Sequence, residues 1–158
     1  MNYEDVNDEA IRIGTLTANF VTKLASQQDK GKRIFPLGIG ATVNFAANTG
    51  LNDKCKKAKY YHTRMTGGAF VDKIVVNDTT GLPMYENFAA PGLNACLSGD
   101  CSLPGETDVI AKDACSATVS LYSVDYDAPN SAVKYSKPNI EKTVSALNKN
   151  KSHSRREE

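Results

Sequence analysis

The sequence predicts an α+β domain: a long N-terminal helix packed on a mostly antiparallel β-sheet, with a cysteine-stapled loop and a short C-terminal helix. Three observations predict it. Apolar residues recur every three or four positions over residues 3–30, they alternate over residues 33–48, and three of the four cysteines fall in or just after a turn-rich stretch, residues 92–105.

The helix comes first. Val6, Ala10, Ile13, Thr17, Phe20 and Leu24 make one stripe, widened by Ile11, Leu16 and Val21, while Arg12, Asn19, Lys23 and Gln27 lie opposite. One face is for packing. Glu4, Asp5, Asp8 and Glu9 at its start and Lys23 near its end suit the helix dipole, and Gly31 reads as the stop. In residues 33–48, Phe35, Leu37, Ile39, Ala41, Val43, Phe45 and Ala47 fall on one side of an extended chain. Such a strand exceeds the usual length of about 5–6 residues, which predicts a bend or bulge at Gly38 or Gly40. Its second face, with Gly38, Gly40, Thr42 and Ala46, is bare enough to seat the helix. The GIGA run has neither the spacing of a phosphate-cradling loop nor a helix after it, so packing is the better reading.

Turn residues then lead into KCKKAKYYHTR, residues 54–64, which reads as a solvated edge strand whose lysines discourage edge-to-edge pairing. Residues 69–77 read as a strand buried on both faces toward Ile74 and Val76, and residues 82–91 as a short edge strand limited by Pro83 and Pro91. Residues 116–127 are the last clear strand, with residues 132–136 returning beside it as a hairpin. Pro138 and Asn139 open the C-terminal helix, whose narrow apolar face is Ile140, Val144 and Leu147. From Lys149 onward no residue is apolar, so residues 1–148 form the single domain and residues 149–158 a disordered tail.

Cys96 and Cys101 lie in a loop too rich in small residues to hold itself by packing, which gives a crosslink or a metal a structural task there. Two pairings leave short loops stapled: Cys96 to Cys101 with Cys55 to Cys115, or Cys55 to Cys96 with Cys101 to Cys115. Zinc is the alternative, held by Cys96, Cys101 and Cys115 with Cys55 or His62, but structural zinc sites usually show two close cysteine pairs and this chain has one. Disulfides are therefore expected, with no metal and no cofactor, and with them an extracellular or particle-surface location. Two acceptor triplets for N-glycosylation, at Asn77 and Asn150, are compatible with secretion.

The formal net charge is +1, so nothing global argues for nucleic acid or a membrane, and no apolar run is long enough to span a bilayer. Charge is uneven, however. Lys54, Lys56, Lys57, Lys59 and Arg64 crowd one segment, and carboxylates dominate residues 100–127. Opposed patches of this kind predict a partner-binding surface joining copies in a homo-oligomer or larger assembly. His62 is the one imidazole placed for chemistry, because His153 falls in the tail. Asp125 and Asp127 share one side of a strand, where general acid and base work is conceivable. No nucleophile elbow, Walker loop, zinc-protease helix or calcium loop is present.

A helical spine on a meander with a cysteine-tied later loop resembles the soluble part of a type IV pilin or pseudopilin, and the resemblance implies a subunit that assembles. The expected function is therefore non-enzymatic: a structural or surface-assembly protein, pilin-like or associated with a virion or other particle. Two alternatives stand beside it: a binding module for an anionic ligand or nucleic acid through residues 54–64, and a thiol-dependent enzyme using Cys55 and His62.

Overall fold

The computed structural model describes residues 8–47, 49, 55, 57–65, 70–89, 96, 99–124 and 126–153. Its architecture is α+β, and its central strand is not the long alternating stretch but Ser116–Ser123. In chain order the elements are α1 Glu9–Ala25, β1 Gly40–Phe45, β2 Lys59–Thr63, β3 Phe70–Val76, β4 Pro83–Ala89, α2 Glu106–Lys112, β5 Ser116–Ser123, β6 Tyr126–Asp127 and α3 Asn130–His153.

β5 is buried on both faces, which its sequence, SATVSLYS, explains. Ala117, Val119 and Leu121 point into the apolar core with Phe20 of α1 and Val133 and Ile140 of α3. Ser116, Thr118 and Ser120 face the other way, and their hydroxyls suit a polar layer beneath α2. There, the hydroxyls of Thr63 and Ser120 bond to each other at 2.7 Å, and the Glu106 carboxylate accepts from Ser120 and from Asn44, each at 3.2 Å. Three layers result: α1 with α3, the sheet, and α2.

The sheet order is β1-β5-β2, with β6 pairing the end of β5. β1 is antiparallel to β5, but β2 is parallel to it, so the sheet is mixed. A parallel pair needs a crossover between its strands, and here that stretch contains the β3–β4 ribbon and α2. The ribbon is a separate two-stranded sheet, and Ile74 is 81 % exposed, contrary to a strand buried on both faces.

The inward set read from residues 33–48 packs on the core at Phe35, Ile39, Ala41, Val43 and Phe45, yet regular pairing begins only at Gly40. Before it, the Ile39 N–H bonds the Pro36 carbonyl at 3.3 Å, and Gly38 takes φ +79°, a turn that sends Leu37 outward. The bare face does not seat α1. At Gly40 it is covered by Tyr122, whose ring lies 2.5 Å from where a Cβ would stand.

α1 starts at an Asp8 side-chain cap on the Ala10 N–H, 2.9 Å, and its Phe20 ring stacks on Tyr60 of β2 at 5.9 Å between centroids. The expected strand over residues 132–136 is helix. α3 begins with the Pro129 carbonyl accepting from Ala132 and Val133, and Val133, Ser136, Ile140 and Thr143 form its buried stripe. Two of those four are hydroxyl residues, which hid the helical period. Pro138 is tolerated inside α3 because it is exposed, so its missing N–H leaves the would-be acceptor on the solvent side. The helix also runs past Lys149 to His153. None of the described helices is long and apolar enough to cross a membrane.

Candidate active site

β2 alternates its side chains as a strand must, and the alternation sorts its chemistry. Tyr61 and Thr63 face α2, where the Tyr61 hydroxyl bonds the Asp113 carboxylate at 2.8 Å. Tyr60 and His62 face α3, with His62 opposite Val119 of β5. The chain continues to Arg64, whose backbone N–H and carbonyl bond Pro104 and Glu106.

This places His62, Arg64, Asp100 and Asp127 around one crevice, closed by Leu103, Leu121 and Val133. The crevice holds about 10 Å³, and a water needs about 10–15 Å³. One solvent molecule fits and a phosphate does not. The His62 side chain is 7 % exposed, and neither ring nitrogen has a hydrogen-bond partner. Burial, helped by the Lys137 charge and opposed by Asp100, pushes its pKa down to about 4, so the ring is neutral in mildly acidic solution. Glu141 Oε1 lies 4.0 Å from His62 Nδ1, beyond hydrogen-bond reach.

Asp127 is 9 % exposed, and burial raises its pKa despite backbone hydrogen bonds from Gly99, Met65 and Ala128 and the Arg64 charge. A carboxyl of that kind holds its proton to higher pH than an ordinary aspartate. Gly99 is required where it is, because an added Cβ would collide with the Asp127 carboxylate. Tyr126, beside it, takes φ +85°, a strained conformation for a tyrosine that costs about 1–3 kcal/mol. At the mouth, Lys137 of α3 bonds the Asp100 carboxylate at 2.8 Å and lies 3.8 Å from Glu141. Hydrogen bonds from Lys137 and Ser102 hold the Asp100 pKa down to about 2.

The residues singled out in the sequence divide sharply. Cys55 pairs with Cys115 and Cys96 with Cys101, and among the described residues no cysteine is free. That removes the thiol-dependent enzyme and the zinc alternative together, and it places the chain in an oxidising compartment. Lys54 and Lys56 lie outside the described residues, as does Asp125. Lys57 is exposed and lines an open groove of about 600 Å³ with Lys23 and Tyr60, where no histidine or carboxylate stands among the described residues. Lys59 is exposed, its ammonium 4.6 Å from the Tyr61 ring centre. Arg64 is 8 % exposed and turned into the crevice, so it is no part of a solvated basic face. His62 and Asp127 were legible as candidates. Asp100, Lys137 and Glu141 were not, because the i, i+4 pair Lys137 and Glu141 has meaning only once residues 130–139 are known to be helical.

The described chain is a disulfide-linked α+β domain with a buried histidine, carboxylate and arginine crevice. It is similar to a curated protein named acid phosphatase from the yeast Yarrowia lipolytica, with 42% identity over 113 residues, which is 69% of this chain and 32% of the relative. The chain thus spans about a third of the length of the curated relative it matches. No family model and no solved structure matches it. The likeness overturns the expectation of a non-enzymatic structural or surface-assembly protein, pilin-like or particle-associated, because the relative is named as an enzyme. The expectation came from missing motifs, and a site assembled from single residues on β2, β6, α3 and a loop leaves no motif.

Proposed function

We propose that this chain is a hydrolase of phosphate monoesters that works in mildly acidic surroundings outside the cell, with the His62 crevice as its reaction centre. The likeness to the Yarrowia lipolytica acid phosphatase carries the reading, and the crevice supplies chemistry that fits it.

Monoester hydrolysis at acidic pH needs a base that stays unprotonated, an acid that stays protonated, and positive charge for the phosphoryl oxygens. The neutral His62 imidazole takes a proton from the single water the crevice admits. The water oxygen bonds phosphorus as the ester P–O bond breaks, and Asp127 gives its proton to the departing alkoxide. The products are the alcohol and inorganic phosphate, and the proton on His62 is returned to Asp127 through solvent. The phosphoryl group is too large for the crevice and sits at its mouth, where its charge replaces the Asp100 carboxylate on Lys137. Arg64 adds its positive charge from the wall.

The direct test is hydrolysis of p-nitrophenyl phosphate at pH 5 by the disulfide-intact chain. The wild type should turn over, and His62→Gln and Asp127→Asn should each lose about 10²–10⁴-fold in kcat. A chain that does not hydrolyse the ester, or one unaffected by His62→Gln, overturns the proposal.

A further inference from the structure

The N-glycosylation triplet at Asn77 sits on an exposed turn, and from its surroundings we infer that Asn77 carries an N-linked glycan. Asn77-Asp78-Thr79 has a residue other than proline in its middle, as glycosyl transfer requires. It occupies the turn joining β3 to β4, where residues 78–81 are all exposed. The Asn77 carbonyl oxygen accepts the backbone N–H of Thr79 at 2.9 Å and of Thr80 at 3.1 Å. Those bonds fold the threonine back toward the asparagine and leave the amide nitrogen out of the turn's hydrogen bonding. Its contact there is the Met84 sulfur at 3.5 Å, a weak acceptor on a half-exposed side chain. The ribbon pairs with no further strand among the described residues.

Asn150-Lys151-Ser152 lies inside α3, Asn130–His153. Its backbone is helical where that of Asn77-Asp78-Thr79 turns. The two disulfides supply the remaining condition, an oxidising secretory compartment, in which lipid-linked oligosaccharide is available. In the transfer, Asn77 Nδ2 bonds the anomeric carbon of an oligosaccharide carried on a lipid pyrophosphate. The lipid pyrophosphate leaves, and Nδ2 gives up one of its two protons. The sugar adds hydrophilic bulk beside a ribbon on which Ile74 is 81 % and Tyr85 70 % exposed, a patch otherwise prone to association.

The inference stands apart from the phosphatase reading, since a chain without hydrolytic activity still carries or lacks the sugar. The test is secretion of the full chain from a yeast host behind a secretory leader, followed by enzymatic deglycosylation in heavy-oxygen water and peptide mapping. The expected result is a mass drop for the intact chain, with Asn77 converted to labelled aspartate. Thr79→Ala should abolish the drop while leaving the asparagine contacts in place. No mass drop in the wild type, or label at Asn150 in place of Asn77, overturns it. The wild-type mapping decides the matter even if a variant fails to fold.

Discussion

An imidazole held away from water with both nitrogens unpartnered is a destabilising feature, and the size of the effect is measurable. His62 ordinarily titrates near 6.5, and in the fold its pKa is lowered to about 4, chiefly by burial. Between those values the unfolded chain binds a proton that the folded chain does not. Stability is therefore full above pH 6.5 and falls as the pH drops through the window toward 4. The loss should reach about 3 kcal/mol, as 1.36 kcal/mol per pKa unit implies. Urea unfolding at pH 7 and pH 4 should show it, and His62→Leu should remove most of it. At this scale the sequence was partly legible. It pointed to His62 as the one imidazole placed for chemistry and set Asp127 among its paired carboxylates, whereas Arg64 was read as surface charge because a strand's local pattern does not say which neighbour covers it.

β2 sits at the sheet edge yet does not behave as an open edge. The Asn148 side chain of α3 accepts from the Tyr60 N–H at 3.0 Å and donates to the Tyr60 carbonyl at 2.9 Å, completing the ladder as a strand partner would. Asn148→Ala should leave both groups unpaired in a part-buried setting and cost about 1–3 kcal/mol, seen as a lower unfolding midpoint. Asn148→Asp should keep the acceptor and lose the donor, and so fall between. No sequence pattern announces a side chain that mimics a strand. α1 was legible because its apolar residues follow a helical period, and β5 because it is rich in β-branched and aromatic residues. α3 was legible only from Pro138 onward, through Ile140, Val144 and Leu147, because Ser136 and Thr143 occupy core-facing positions that a hydropathy reading assigns to solvent. The extended reading of residues 33–39 failed at Gly38, where the positive φ of a turn interrupts an alternation that continues on either side.

Across the whole molecule the two disulfides hold different amounts of chain. Cys55 to Cys115 spans a sequence separation of 60 and Cys96 to Cys101 a separation of 5. Loop-closure entropy then predicts about 4 kcal/mol from the long bridge and about 2 kcal/mol from the short one. Cys55→Ala with Cys115→Ala should lower the unfolding free energy more than Cys96→Ala with Cys101→Ala. The long bridge ties the chain just before β2 to the chain just before β5, the two parallel strands on which the crevice is built. The short one sits beside Gly99 and Asp100 at its mouth, so its loss should be felt more in activity than in stability. The sequence showed the cysteines and left two pairings open, because connectivity depends on the sheet order that brings the segments together.

The central claim is that a neutral His62 and a protonated Asp127 act together on phosphate esters, and the pH profile of kcat/KM for p-nitrophenyl phosphate tests it most directly. The account predicts a bell in the acidic range. Its rising limb lies near pH 4, set by His62, and its falling limb lies above the usual aspartate range, set by Asp127 and absent in Asp127→Asn. A profile that climbs into alkaline pH, or a falling limb that survives Asp127→Asn, would contradict it.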